Sequence, residues 1–240
     1  MMATNKILEL YLSQPYLTPG AVETVEIARQ RIAFGPETRL LEIAFGKGTT
    51  AFTLAEEYGC RIVGVDAHGF VGAVQREARK RGPADRVAFL RGDGGMLPQH
   101  DGQFDAAICI GAPSIVGTER CMAAMYGALR RGGVIVVSDW TWRTNDVPPE
   151  AIPSTFTEAR MTLDEYAAII TGAGFEIVQA EHLPQRVWDD YYAPLRDVVA
   201  EVRAADPEAG EDPIESEMRA YEAGGREFWG YTVFVARKPV

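Results

Sequence analysis

Arg39-Leu-Leu-Glu-Ile-Ala-Phe-Gly-Lys-Gly-Thr49 is the stretch on which the fold turns. Positions 39–44 form a short apolar run with one acid, which reads as a buried strand. Gly46 and Gly48 follow as a turn. Without Cβ atoms the backbone there can come close to a ligand, and the N–H groups at the start of the next helix face it. That helix is expected from about Thr49 to Tyr58, with Gly59 as its cap. Working outward, the unit repeats. Arg61–Asp66 reads as a strand, Val71–Arg81 as a helix, Arg86–Arg91 and Phe104–Ile110 as strands, Glu119–Arg130 as a helix and Val134–Asp139 as a strand. Strands alternating with helices of about ten residues signal a doubly wound, mostly parallel sheet. Upstream, Ile7–Leu12 reads as a short helix stopped by Pro15, and Thr18-Pro19 as the N-cap and first turn of a helix running to about Ala33. Downstream, a helix at Leu163–Thr171, a strand at Phe175–Glu181, a helical stretch at 187–228 and a last strand at Gly230–Ala236 complete one domain without an internal repeat.

Composition narrows the function. The chain has 240 residues, 47% hydrophobic and 24% charged, enough for a full core without disulfides or metal. Its formal net charge is −10, and no basic block exceeds Arg79-Lys80-Arg81, which argues against nucleic acid as a partner. Cys60, Cys109 and Cys121 form no C-x-x-C pair and suit buried thiols in a reducing cytoplasm. Met1–Leu12 lacks a basic segment leading into an apolar run, and no later segment is apolar enough to span a membrane, so a cytoplasmic protein is expected. The four lysines are 6, 47, 80 and 238, and the three histidines, 68, 100 and 182, have no ligand spacing; no metal site is expected.

The glycine turn admits two cofactors. Gly46-x-Gly48-x-x-Ala51 satisfies the dinucleotide fingerprint, with Asp66 placed to bind a ribose. The phosphate-loop pattern fails, because Leu41 and Gly48 stand where glycine and Ser/Thr are needed. More motifs decide the matter. Glu42, Ala44, Gly46 and Gly48 are followed by Asp66 at the end of Val63-Gly-Val-Asp66. Asp93 lies in Arg91-Gly-Asp-Gly-Gly-Met96, Leu97-Pro-Gln-His-Asp-Gly-Gln-Phe-Asp105 enters the fourth strand, and Leu129-Arg-Arg-Gly-Gly133 enters the fifth. In this order the stretch from 40 to 142 resembles the class I S-adenosylmethionine-dependent methyltransferases. The whole length is similar to a little-described group of bacterial small-molecule-type members, through Ile110–Gly117, Trp140–Arg143 and Glu227–Tyr231.

The resemblance implies a seven-stranded Rossmann-like sheet with its last strand antiparallel, an N-terminal helical extension and a helical insertion before that strand. It implies a single domain, with a helical lid at 1–37, a cofactor-binding core at 38–143 and a substrate-side half at 144–240. S-Adenosylmethionine would be held by Glu42, Ala44, Phe45, Gly46, Gly48, Asp66, Ala67, Asp93, Gly94 and Ile110, leaving S-adenosylhomocysteine as product. Ala44 departs from the family's first glycine, which puts the aim of the loop in question.

The acceptor side is read from chemistry. Trp140, Trp142 and Arg143 follow the fifth strand, and Trp188, Tyr191 and Tyr192 lie on the insertion, with 188 and 192 on one helix face. Together with Tyr11, Tyr16 and Ser114 these are the candidates for an aromatic acceptor pocket; equally, the insertion's aromatic face could simply pack on the sheet. Arg143 is suited to an acceptor carboxylate. His100 is a base by type but falls in a variable spacer. With no obvious base, the acceptor is expected to be a small amine or thiol. The alternatives are an NAD(P)-binding oxidoreductase and a catalytically silent S-adenosylmethionine-binding protein; a homodimer stays open.

Overall fold

The computed structural model describes residues 9–67, 70–97, 102–154, 160–205, 207 and 212–240. His68, His100 and the segment 98–101 lie outside them. Seven strands, β1 (Arg39–Ile43), β2 (Arg61–Asp66), β3 (Val87–Arg91), β4 (Phe104–Ile110), β5 (Leu129–Trp142), β6 (Glu176–His182) and β7 (Trp229–Arg237), form one sheet. Their order is β3-β2-β1-β4-β5-β7-β6, and β7 runs antiparallel to both neighbours. The expected architecture is therefore present, including the reversal of strand order between β1 and β4, where such sheets bind ligands.

β1 shows why the centre of the sheet reads as an apolar run. Four of its five residues are buried, because helices cover both faces. One core takes Val25 and Ala28 from α1 (Ala21–Arg31), Phe52 from α2 (Thr49–Tyr58) and Val74 from α3 (Val71–Arg81). The opposite core takes Cys121, Met122 and Met125 from α5 (Thr118–Ala128), and Tyr166 and Ile170 from α6 (Leu163–Gly172). A short α4 (Pro113–Val116) sits between β4 and α5. The insertion is α7 (Arg186–Ala205) and α8 (Pro213–Ala220), which join the first core through Trp188, Tyr192, Leu195 and Met218. All three cysteines are buried thiols.

Three local expectations are corrected. Thr18 does not cap α1; Gly20, at φ 63°, is its N-cap, and the Thr18 hydroxyl is instead 2.6 Å from that of Tyr231. The fifth helix ends at Ala128 rather than Arg130, since Leu129 already pairs with Phe104 of β4. Trp140 and Trp142 lie within β5, not after it. The antiparallel β7 continues the ladder beyond Asp139, pairing Trp140 with Tyr231 and Trp142 with Trp229.

Candidate active site

The carboxyl ends of β1, β2 and β4 open into a cavity of about 340 Å³. Glu42, Ala44, Phe45, Gly46 and Asp66 line one side, Ile110, Gly111, Ala112 and Ile115 another. The glycine loop is shaped by positive φ values, 52° at Gly46 and 73° at Gly48. A Cβ at Gly46 would meet nothing within 4 Å, so the loop leaves open space there. A Cβ at Gly48 would lie 2.6 Å from Val74, so that glycine packs the loop on α3. Ala44 sits at φ 56°, the one non-glycine in this conformation among the described residues. A left-handed alanine costs about 1–2 kcal/mol, which is what the departure from glycine entails.

Two acids face the loop. Asp66 is 5% exposed, and its Oδ2 accepts from the Gly46 N–H at 2.8 Å. Glu42 is 4% exposed and pushed up to about 8 by burial; hydrogen bonding from Thr50 opposes this and the nearby Asp66 adds to it. Its Oε2 is fully buried with no hydrogen-bond partner among the described residues. An unsatisfied buried carboxylate oxygen is costly and marks a place for a polar or cationic ligand group. Asp93 lies apart from the cavity lining. It accepts from the Gly95 N–H at 2.8 Å and pairs with Arg120 at 3.0 Å; the amide first, and Arg120 with it, holds its carboxyl below the usual range. Gly94 packs against Ile43, where a Cβ would lie 2.3 Å away, and Ala67 is exposed.

Residues 11–18 form a strap across the cavity, contributing Tyr11, Leu12, Pro15, Tyr16, Leu17 and Thr18 to its wall. The glycine loop itself fastens the strap. Lys47 Nζ donates to the carbonyls of Leu12 at 2.8 Å and Gln14 at 2.6 Å, and the Thr49 hydroxyl donates to Pro15 O at 2.6 Å. Thr18 also presses on the β4 loop, where a Cβ on Gly111 would fall 2.2 Å from its hydroxyl oxygen.

The other acceptor candidates are placed differently. Trp188 and Tyr192 are 2% and 0% exposed and pack in a buried cluster. Trp188 lies 5.0 Å from Trp140, 5.1 Å from Trp229 and 5.8 Å from Tyr231, ring centre to ring centre. Trp142 joins at 5.9 Å from Trp140. These rings glue the insertion to the sheet and do not line the cavity. Tyr191 is nearer: its hydroxyl and that of Tyr11 both donate to Leu17 O, at 3.3 and 3.0 Å. Arg143 is exposed and committed to Trp229 O and Gln185. The Ser114 hydroxyl donates to Asp139 at 3.2 Å and accepts from Arg160 at 2.7 Å. His182 is in β6, bonded to Thr232 at 2.8 Å and shifted down by burial.

Sequence reading missed four residues here: Thr18, Asp139, Arg160 and Glu217. Asp139 is 2% exposed, shifted up by burial, and holds Ser114, Trp140 N–H and Tyr166. Arg160 lies 5.2 Å above the Trp140 ring. Their partners come from other elements, so no local spacing announces them.

Residues 40–133 match a family model described as a methyltransferase domain. The matched span contains both acids, the glycine loop and the β4 end that surround the cavity. The chain carries a methyltransferase domain. This methyltransferase is 26% identical over 246 residues to the uncharacterized protein YjhP of Escherichia coli (strain K12), covering 96% of this chain and 93% of that one. The crystal structure of YjhP superposes with a TM-score of 0.75 over 97% of this chain and 98% of that one, at 22% identity, a likeness of fold. A S-adenosylmethionine-dependent methyltransferase from Geobacter sulfurreducens, solved with S-adenosyl-L-homocysteine, is 26% identical, with a TM-score of 0.71 and 95% of both chains covered. A demethylmenaquinone methyltransferase of Thermus thermophilus is 35% identical over 105 residues, 42% of this chain and 47% of that one. The cavity fits the cofactor of this methyltransferase: the unpartnered Glu42 oxygen suits an ammonium, and the space beside Gly46 suits a close approach to backbone. Among the described residues no helix is long and apolar enough to cross a membrane, and no cluster of three metal-ligating side chains occurs.

Proposed function

We propose that this methyltransferase acts on a small molecule whose nucleophile is an amine or a thiol, held beneath the 11–18 strap. When bound, S-adenosylmethionine supplies an electrophilic methyl on a sulfonium sulfur. Glu42, Ala44, Phe45, Gly46, Gly48, Asp66 and Ile110 would hold it, with Ala67, Asp93 and Gly94 at the adenine end. In this reading residues 1–37 are the lid, 38–143 the cofactor half and 144–240 the acceptor half, and the chain works in the cytoplasm.

One observation carries the proposal. The strap and the cofactor loop line the same cavity, so a small acceptor placed there would be aligned and shielded from water by the chain itself. No histidine is among the described lining residues, and burial shifts Tyr11 and Tyr16 upward, which makes both phenols poor bases. An amine or thiolate brings its own lone pair, whereas a hydroxyl needs a base near the methyl. Turnover of labelled cofactor with a panel of small amines, thiols and alcohols tests this. Transfer to amines or thiols is expected, with a pH–rate limb that moves with the acceptor's own pKa. A limb fixed across acceptors, or transfer confined to alcohols, would overturn it.

A further inference from the structure

We propose that Glu217 gives the acceptor site its charge preference: standing behind the cavity wall of Tyr11, it favours an amine, drawn in as its ammonium and nucleophilic once that proton has passed to solvent, over a thiol or an alcohol. This rests on the small-molecule reading above and narrows it. Glu217 lies on α8, where its Oε2 accepts from the Tyr192 hydroxyl at 3.3 Å. Tyr192 neighbours Tyr191, ring centres 5.2 Å apart, and the Tyr191 and Tyr11 hydroxyls converge on Leu17 O. Tyr11 and Leu17 line the cavity. A phenolic layer drawn from the strap and α7 therefore separates the cavity from one carboxylate.

The layer carries no charge of its own. Burial and the field of Glu217 both raise Tyr11, Tyr191 and Tyr192, so the phenols stay neutral. Glu217 is itself shifted up by burial, against the Tyr192 hydrogen bond and Arg160, with Asp212 adding to the shift. With Tyr11 and Tyr191, those are the charged and titratable groups among the described residues that interact with it. Arg160 is shared with Ser114, the Trp140 face and, at 3.9 Å, Asp139; Asp212 caps α8 through Ile214 N–H. The hydrogen-bond donor to Glu217 is thus a neutral phenol, and its charge is felt across a low-dielectric aromatic layer. Aromatic faces backed by a carboxylate attract an ammonium and disfavour a thiolate. A simple aliphatic amine is protonated at neutral pH, which makes it the matching guest. Glu217 acts through the tyrosines and is a positioning residue.

The test uses the full chain loaded with S-adenosylhomocysteine and titrated calorimetrically with benzylamine and benzyl alcohol, two probes of one shape that differ in charge. At neutral pH benzylamine should bind at least about tenfold tighter, and Glu217→Gln should bring it within about twofold of the alcohol without changing affinity for the alcohol or for S-adenosylhomocysteine. Glu217→Asp should keep part of the preference. Acidification should erode it more steeply in the parent chain than in the Gln variant, where Glu42 still titrates beside the cavity. Equal affinity for the probes, binding of neither, or a preference that survives Glu217→Gln overturns the inference. Should the Gln variant fail to melt cooperatively, the Asp variant and the parent chain's pH dependence decide. Failure to bind S-adenosylhomocysteine would instead sink the cofactor assignment, so the two failures are distinguishable.

Discussion

The two sides of the cavity are built by different means. On the glycine-loop side Glu42, Ala44, Gly46 and Gly48 fall within seven consecutive residues, and Asp66 arrives one helix later with its Oδ2 on the Gly46 N–H. On the strap side Thr18 meets Tyr231 across 213 positions, Tyr191 meets Leu17 across 174, and Ser114 meets Arg160 across 46. The first is a loop whose shape follows from its own glycines. The second exists only when the strap, β5, α7 and α8 have docked. The difference teaches that aromatic residues at the edge of such a sheet need not be ligand walls. Here most of them are the adhesive that holds the inserted helices in place.

Substitutions on the two sides should therefore fail in different ways. Trp188→Ala should have the largest effect, a loss of about 3–5 kcal/mol in denaturant unfolding, since the ring is 2% exposed among five aromatic neighbours. An equally stable variant that has lost acceptor binding would reverse the comparison and make the cluster a ligand wall. Asp66→Ala should leave the fold intact and weaken cofactor binding by about 1.5–3 kcal/mol, measured by calorimetry. Unchanged affinity in a folded variant would remove Asp66 from the cofactor site.

Glu42 makes the glycine-loop side sensitive to pH. Its folded value of about 8 lies above the ordinary 4.5, so its stabilising contribution to the ligand-free chain is complete below 4.5 and is lost as pH rises toward 8. Melting of the ligand-free chain should weaken across that window by at most about 1.4 kcal/mol per pH unit. Cofactor affinity should rise in the same window as the carboxylate forms, and Glu42→Gln should flatten both trends. Lys47→Met, which releases Leu12 and Gln14 carbonyls, should cost about 1 kcal/mol, seen as faster amide exchange across residues 11–18 with β1–β5 unaffected. Protection unchanged in the strap would show that the loop does not fasten it. The smallest effect is a gain: Ala44→Gly should stabilise by about 0.5–1 kcal/mol in denaturant unfolding, the left-handed strain being partly offset by glycine's chain entropy.

The sequence by itself determined the glycine-loop side of the cavity. The ends of α2, β2, α3 and β4 fall at Thr49–Tyr58, Arg61–Asp66, Val71–Arg81 and Phe104–Ile110, as the apolar runs and glycine punctuation require. Those signals are short-range: strand propensity, helix caps and missing Cβ atoms act over a few residues. Thr18, although it follows the helix-start pattern of a hydroxyl before proline, shows where this stops. Its hydroxyl was worth more against Tyr231 than as a cap, and no neighbour in sequence says so. Trp188 and Tyr192 were visible as one helix face, but whether that face met a ligand or the sheet depended on Trp229 and Trp140 arriving from β7 and β5. Glu217 was one acid among 34 acidic residues until α8 set it against the Tyr192 hydroxyl. Only tertiary structure decided these, because burial and field are properties of what surrounds a group, and its surroundings here come from distant parts of the chain.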